Sequence, residues 1–426
     1  MCLSTSSVRQ RLLPGLAVLT LACCSGQVGG PGAAVNTDGG ADGGTDGGTD
    51  AGDVFLPWEN PPQVYAQWTH GPPSDPGFFP IAVWLQSPSN AAAYAAIGIH
   101  TFVGLWQGPT DAQLSDLQAA GVLTLCDQGG VYATHLGDAT IRGWIQDDEP
   151  DNAQPDGNGG YGPCVDPSVV QSRYAGFRAN DATRPVYLNL GQGVAWTDYY
   201  GRGSACAGRL DMYPEYEKGA DIVSFDIYPV NGTDPAVKDN LWMVAQGVDR
   251  LRQWSGYVKP VWNWIETTGI DDPANTPLPG QVRAEVWMSL VHGSAGIGYF
   301  VHIFSPSFVE AGLLASPTMS AAVQAINAEV TSLAPVLNTP SIGNAASVTS
   351  QVPGVPVDMM VKRSGGALYI FAVAMRPGTT QARFSLRDTR NGVATVLGES
   401  RTVTVSGGAF QDTFSDYAVH LYRVTF

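Results

Sequence analysis

Two glutamates that each close an apolar run are the residues of this chain whose type and spacing could carry out acid–base chemistry. Glu149 lies shortly after residues 141–145, Ile-Arg-Gly-Trp-Ile, and Glu266 directly follows residues 261–265, Val-Trp-Asn-Trp-Ile. Breaking a glycosidic bond needs one carboxyl group that protonates the leaving oxygen and a second that attacks or activates water. If both runs are strands of one parallel barrel, both carboxyl groups lie at the same mouth. The pattern therefore favours a two-carboxylate site.

The elements that must position these residues form a repeating pattern. From about residue 78, short apolar runs alternate with helical patterns, which predicts successive βα units. The predicted strands are residues 80–86, 100–106, 121–127, 141–147, 185–190, 221–228, 260–265 and 295–304. Eight such units predict an α/β fold, the (β/α)8 TIM barrel. An open doubly wound sheet is the alternative, but no Gly-x-Gly-x-x-Gly turn follows the first strand.

The pattern changes near residue 340. Residues 341–426 read as short alternating strands separated by Gly- and Asn-rich turns, which predicts a small C-terminal antiparallel β-sandwich. Its expected role is structural, packed on the barrel, and a separate sugar-binding module is the alternative. The predicted organisation is a signal segment (1–23), a flexible linker (24–53), the barrel (54–339) and the sandwich (340–426).

The first residues are typical of a bacterial export signal. Arg9 and Arg11 precede an apolar run at 12–22, which is too short to span a membrane. The run ends in Cys23 and resembles a lipoprotein lipobox, so we expect a lipid anchor on Cys23, with plain secretion as the alternative. The following Gly/Asp/Thr-rich linker cannot bury enough apolar surface to fold. We therefore expect an extracytoplasmic protein.

Composition, motifs and cysteines limit the binding partners, cofactors and disulfides that can be expected for this chain. The net charge is −16 and the basic residues do not cluster, which argues against a nucleic-acid partner. No His-Glu-x-x-His, Gly-x-Ser-x-Gly or P-loop motif is present, and we expect neither a metal nor a cofactor. Cys164 and Cys206 lie in Gly-rich loops and could pair in an oxidising compartment, although the sequence leaves this open.

With Glu149 after strand four and Glu266 after strand seven, residues 78–338 resemble the large clan of retaining (β/α)8 glycoside hydrolases. In that clan the acid/base typically stands in Asn-Glu-Pro, and this sequence has Asp148-Glu149-Pro150. The resemblance implies a carbohydrate substrate, with Glu149 as acid/base and Glu266 as nucleophile. Asp148 takes the place of the Asn that hydrogen-bonds the sugar 2-hydroxyl.

Strand six, within residues 221–229, is also similar to the clan, and Tyr228 is expected to donate a hydrogen bond to the nucleophile. Aromatic rings can stack on sugars, while amides, carboxylates and imidazoles can bind hydroxyl groups. The residues at strand ends that we predict to bind substrate on these grounds are Trp84, Trp106, Asn189, Gln192, Asp226, Trp264, Tyr299 and His302.

Two other functions stay open. The adjacent Asp148 and Glu149 also resemble hexosaminidases in which the substrate's own 2-acetamido group acts as nucleophile. In that mechanism the Asp orients the acetamide, the Glu is the acid, and Glu266 would bind substrate. A non-catalytic surface lipoprotein that captures glycans is the other alternative, although a binder does not require two carboxylates.

Overall fold

A computed structural model of the chain describes residues 52–57, 61–199 and 206–426. The predicted signal segment, the Cys23 lipobox and almost all of the predicted linker lie outside these residues. Within the described part, no helix is both long enough and apolar enough to cross a membrane.

Eight parallel strands, hydrogen-bonded in chain order, close into a barrel. They are β1 (Ile81–Trp84), β2 (Thr101–Val103), β3 (Leu123–Cys126), β4 (Ile141–Ile145), β5 (Val186–Leu190), β6 (Ile222–Asp226), β7 (Val261–Glu266) and β8 (Gly296–Phe300). The predicted TIM barrel is therefore confirmed. Each strand falls at its predicted place, but most are shorter because the chain leaves the ladder to form the loops of the mouth.

Helices surround the barrel. They are α1 (Pro61–Tyr65), α2 (Ala91–Ala96), α3 (Asp111–Ala120), α4 (Tyr132–His135), α5 (Pro167–Asn180), α6 (Tyr213–Tyr216), α7 (Met243–Trp254), α8 (Pro279–Val291) and α9 (Pro317–Leu337). Caps fix several of their starts. Thr110 forms a capping box with Gln113 at α3, and the Asp166 side chain accepts the Ser168 N–H at α5.

The strand pleat separates an inner layer of side chains from an outer one. The inner layer is aromatic and aliphatic, and includes Ala82, Val103, Leu125, Tyr187, Ile222, Trp262 and Trp264. At the N-terminal end of the strands Tyr65 of α1 closes the barrel, because Trp262 Nε1 donates to its hydroxyl at 2.8 Å. Access to the interior is therefore from the opposite end, where the strands finish.

The C-terminal region is a sandwich of two antiparallel sheets. Its strands are β9 (Ala346–Ser350), β10 (Val357–Ser364), β11 (Ala367–Ala374), β12 (Thr380–Leu386), β13 (Gly392–Val396), β14 (Arg401–Val405), β15 (Ala409–Phe414) and β16 (Val419–Thr425). Five strands pair in the order β10-β11-β16-β13-β14, and three in the order β15-β12-β9. The predicted sandwich is confirmed.

The sandwich packs on the outer face of α8. The rings of Trp287 on α8 and Phe371 on β11 lie 5.3 Å apart, and both residues are fully buried. Arg283 of α8 donates to the Val419 carbonyl of β16 at 3.2 Å and also pairs with Glu329 of α9 at 3.0 Å. The contact supports the structural role expected for the sandwich.

Candidate active site

Glu149 lies in the loop after β4, at the open end of the barrel, with φ at +43°. This left-handed conformation is unfavourable for a residue with a side chain, and such strain persists where the surroundings hold it. The Glu149 N–H donates to the Asn189 carbonyl (3.2 Å), and its carbonyl accepts from Asn152 N (3.1 Å) and Gln154 Nε2 (3.0 Å). Asn152 Nδ2 also donates to Glu149 Oε2 at 3.1 Å. The half-buried carboxyl group is thus fixed at the mouth.

Gly191, which follows β5, forms the wall behind Glu149. A Cβ atom at this position would lie 2.8 Å from Glu149 Oε1, so any other residue would require the carboxyl group to shift. The Gly191 N–H donates to Asp151 Oδ1 at 2.9 Å, and Tyr213 Oη donates to Asp151 Oδ2 at 3.0 Å. Burial, and then the charge of Glu149, raise the pKa of Asp151 to about 7. Sequence reasoning missed Asp151, although it stands two residues after Glu149.

Asp148 and Asn189 form a second contact at the mouth. Asn189 is almost fully buried on β5, and its Nδ2 donates to Asp148 Oδ1 at 2.9 Å. Ser224 of β6 donates to Asn189 Oδ1 at 2.7 Å, which orients the amide so that its N–H groups face the carboxylate. The structure therefore brings the predicted residues Asp148, Glu149 and Asn189 together.

Asp226, the last residue of β6, faces the same mouth. It is partly exposed, yet its Oδ1 atom is buried without a hydrogen-bond partner. Tyr228 Oη is 3.5 Å from Asp226 Oδ2, a long contact that puts the tyrosine beside Asp226. Burial, followed by the charges of Glu149, Asp148 and Asp151, holds the pKa of Asp226 well above its ordinary value.

Glu266, the predicted nucleophile, is in different surroundings. It has no exposed surface. Its Oε1 accepts the Val230 N–H at 2.6 Å, while its Oε2 accepts Asn231 N at 2.8 Å and Asn231 Nδ2 at 2.5 Å. Burial raises the pKa of Glu266, although the hydrogen bonds from Asn231 and Val230 oppose the shift, and the buried Glu285 of α8 is its neighbour. In this position the carboxyl group holds the loop that follows β6.

The remaining aromatic residues predicted to bind substrate lie in three different places. Trp264 is buried in the barrel interior, edge-to-face with Trp84 at 5.0 Å, and the two rings form the floor of the mouth. Trp106 is 58% exposed in the loop after β2. Tyr299 faces outward, and its hydroxyl donates to Asn327 of α9 at 2.8 Å. The structure therefore places Tyr299 between barrel and helices, which is not where the prediction put it.

Gln192 begins a short 3-10 turn, Gln192–Val194, directly after Gly191. Its backbone carbonyl accepts from Ala195 N at 3.0 Å and Trp196 N at 2.8 Å. It therefore lies in the same β5 loop as the wall of Glu149. Its predicted contact with substrate stays a prediction.

His302 anchors a row of aromatic rings along the loop after β8. Its Nε2 lies 3.2 Å from the Leu85 carbonyl, and burial lowers the pKa of His302, so the ring is neutral and donates to that carbonyl. Phe300, Phe304 and Phe308 surround it at ring distances of 5.2, 5.9 and 5.7 Å. Phe304 and Phe308 are 48% and 61% exposed and stack on each other, and sequence reasoning missed both.

Two further features bear on the predictions. Cys164 and Cys206 form a disulfide with a Cα–Cα distance of 6.0 Å, linking the long loop after β4 to the segment that precedes α6. Among the residues that the structure describes, no group of three or more His, Cys, Asp or Glu side chains has the arrangement needed to hold a metal ion.

No protein-family model and no curated protein matches this sequence. Solved structures do share its fold. An α-amylase from Geobacillus thermoleovorans complexed with acarbose superposes with a TM-score of 0.51 at 9% identity, over 82% of this chain and 98% of that chain. A putative α-galactosidase from Bacteroides fragilis gives a TM-score of 0.51 at 9% identity, over 82% of this chain and 80% of that chain. At such low identity these similarities show that the chain shares the barrel fold of both proteins.

Proposed function

We propose that this chain hydrolyses O-glycosidic bonds and that Glu149 is one of its catalytic carboxyl groups. The observation that carries the proposal is the placement of Glu149. A strained backbone, the Asn152 amide and the Gly191 wall hold its half-buried carboxyl group at the mouth of the barrel. The names α-amylase and putative α-galactosidase, borne by solved proteins of the same fold, support this reaction class.

The mechanism we propose is a double displacement with retention of configuration. Glu149 gives its proton to the leaving oxygen while a second carboxylate attacks the anomeric carbon. Glu149 then takes a proton from the water that releases the sugar. The sequence assigned the attack to Glu266, which the structure shows engaged by Val230 and Asn231. Its assignment as nucleophile therefore stays a prediction.

A substrate-assisted N-acetylhexosaminidase is the second candidate, and the position of Asp148 favours it. Asp148 adjoins Glu149 and accepts a hydrogen bond from the Asn189 amide at the mouth, where it could orient an acetamido group. This candidate predicts activity confined to N-acetylhexosaminides and loss of that activity in Asp148→Asn. A glycan-binding protein without catalysis predicts tight binding of an intact oligosaccharide and no cleavage.

The test is a panel of chromogenic glycosides and polysaccharides offered to the wild type and to Glu149→Gln. We expect hydrolysis by the wild type, first-formed product of retained configuration by NMR, and a loss of about 10²–10⁴-fold in Glu149→Gln. Glu215→Gln, which changes an exposed glutamate that pairs with Lys218, is the matched control. Absence of hydrolysis across the panel, or full activity of Glu149→Gln, would refute the proposal.

We also propose that the protein is extracytoplasmic and lipid-anchored through Cys23. The export signal and the lipobox-like sequence support this. Metabolic labelling with a radioactive fatty acid should mark the wild type, and Cys23→Ala should lose the label. Equal labelling of both would contradict the anchor.

A further inference from the structure

The reaction proposed for this chain needs a second carboxylate that can touch the anomeric carbon. The attacking oxygen must be directed into the mouth and accessible to substrate. Glu266 has no exposed surface, and both its oxygens accept N–H groups of Val230 and Asn231. Because no part of its carboxyl group is exposed, Glu266 would have to move from its present position to reach a substrate. A different carboxylate at the mouth is therefore needed as the nucleophile.

The pleat of β6 directs Asp226 into the barrel. Ile222 belongs to the inner layer, and Ser224 reaches Asn189 on the neighbouring strand. Phe225, between Ser224 and Asp226, points the other way and packs against Gly247 of α7. Because alternate residues of a strand share a face, Asp226 lies on the inner face at the open end of the barrel.

The hydrogen bonding of Asp226 leaves one oxygen without a partner. Oδ1 is buried and has no hydrogen-bond partner, whereas Oδ2 has the Tyr228 hydroxyl at 3.5 Å. A buried carboxyl oxygen without a partner costs about 1–3 kcal/mol, which a water molecule or a ligand can compensate. A ligand that occupies the mouth can provide that compensation.

The charge of Glu149 also affects the protonation of Asp226. After burial, the charge of Glu149 is the largest influence that raises the pKa of Asp226, ahead of the charges of Asp148 and Asp151. Neighbouring carboxylates that repel each other share protons, so that one is ionised while the other is neutral. The raised pKa of Asp226 favours a proton on Asp226, so attack by Asp226 uses the other state of the pair, in which Glu149 holds the proton and Asp226 carries the charge.

We propose that Asp226 is the second catalytic carboxylate and acts opposite Glu149. This inference rests on the proposed hydrolysis of glycosides. An Asp226 oxygen forms an ester bond to the anomeric carbon while the bond to the leaving oxygen breaks and Glu149 protonates that oxygen. Water then gives a proton to Glu149, attacks the anomeric carbon and frees the Asp226 carboxylate. Glu266 positions the loop after β6, directly beyond Asp226.

Covalent trapping tests the assignment. The probe is the 2-deoxy-2-fluoro, 2,4-dinitrophenyl form of whichever glycoside the wild type cleaves fastest, because fluorine slows release of the ester. We expect stoichiometric release of dinitrophenol and a glycosyl adduct that peptide mass spectrometry maps to Asp226. An adduct on Glu266, or no adduct from an enzyme that cleaves the parent glycoside, overturns the inference.

Variants give an independent measurement. Asp226→Asn should lose about a thousandfold or more in kcat with both ordinary and dinitrophenyl glycosides, because an activated leaving group does not replace a nucleophile. Glu149→Gln should recover most of its kcat/KM with the dinitrophenyl substrate, since that leaving group needs no acid, while kcat stays low because the second step still lacks its base. Asp234→Asn, an exposed aspartate in the loop after the same strand, is the charge-matched control. A thermal melt shows that each variant is folded.

The possible results distinguish failure of the proposed hydrolysis from failure of the Asp226 assignment. If the wild type cleaves nothing in the panel, the proposed function fails. If the wild type cleaves and Asp226→Asn retains more than a tenth of its kcat, this inference alone fails. Recovery of Asp226→Asn with the dinitrophenyl substrate would also overturn it, since that result would make Asp226 the acid.

Discussion

The carboxyl groups of Glu266, at the end of β7, and Glu285, on α8, are buried neighbours whose charges act on each other. Both residues have no exposed surface. Burial, and then the charge of Glu266, hold the pKa of Glu285 well above its ordinary value, which favours the protonated form of Glu285. Through Glu285, α8 packs beside the carboxylate that holds the loop after β6.

This pair should make stability depend on pH. The unfolded chain releases the Glu285 proton near the ordinary pKa of 4.5 while the folded chain keeps it, so stability falls as pH rises above that value. Glu285→Gln keeps the size and shape of the side chain and removes its titration. We expect its melting temperature to exceed that of the wild type by more at pH 8 than at pH 5. Glu215→Gln serves as control, and equal pH slopes for Glu285→Gln and wild type would contradict the pair.

Gly191→Ala should impair catalysis through Glu149. The backbone at Gly191 is extended, with φ −84° and ψ −171°, so alanine is tolerated locally, but its Cβ would lie 2.8 Å from Glu149 Oε1. A displaced carboxyl group should lower kcat/KM by about 10–100-fold while the melting temperature changes little. Gly176→Ala on α5, where a Cβ meets open space, should leave kcat/KM unchanged. An equally active Gly191→Ala would show that the wall does not position Glu149.

The exposed rings of Phe304 and Phe308 should bind the part of a sugar chain that extends beyond the bond being cut. The two rings stack 5.7 Å apart and adjoin His302 at the mouth. We expect Phe308→Ala to raise KM for oligosaccharides by about 5–10-fold, the loss of one stacking contact, with little change for small aryl glycosides. Phe426→Ala, which removes a partly exposed ring at the chain end, is the control. Equal effects on long and short substrates would argue against a stacking role.

His292 should make the contact between barrel and sandwich sensitive to alkaline pH. Burial opposes its charge, but hydrogen bonds to Asp249 and to Asp358 of β10 outweigh burial and raise the pKa of His292 to about 9 from 6.5. Its contribution to stability is complete below pH 6.5 and is lost as pH rises through about 9. Asp358→Asn should therefore lower the melting temperature by about 1–2 °C at pH 6 and by less at pH 10. A loss that is the same at both pH values would refute the charge interaction.

Hydrophobic alternation predicted the architecture because the eight strands and their helices differ in period and are bounded by turn residues. The same reasoning located Glu149, Asp148 and Asn189, since each stands where a strand or its loop reaches the mouth. It did not locate Glu285, although a single acid within the apolar sequence Ala284-Glu285-Val286 of α8 is a sign of a buried carboxyl group.

The burial of Glu266 depends on contacts that no local pattern encodes. The N–H groups of Val230 and Asn231 come from another loop, and Glu285 comes from a helix that follows β7. The outward direction of the Tyr299 side chain could have been predicted from the glycine that precedes it on β8. Gly298 has no room for a side chain because Trp264 lies against it, so the large residue next to it had to point outward.

The packing of Trp287 on α8 against Phe371 of the sandwich has a consequence for how the molecule can be divided. The inner face of α8 carries Glu285 to the barrel, and its outer face is covered by β11. Removal of the residues after about 340 would expose the Trp287 indole on α8, the helix that carries Glu285. Barrel and sandwich are two architectures, but because they share this buried contact we expect them to unfold as one cooperative unit.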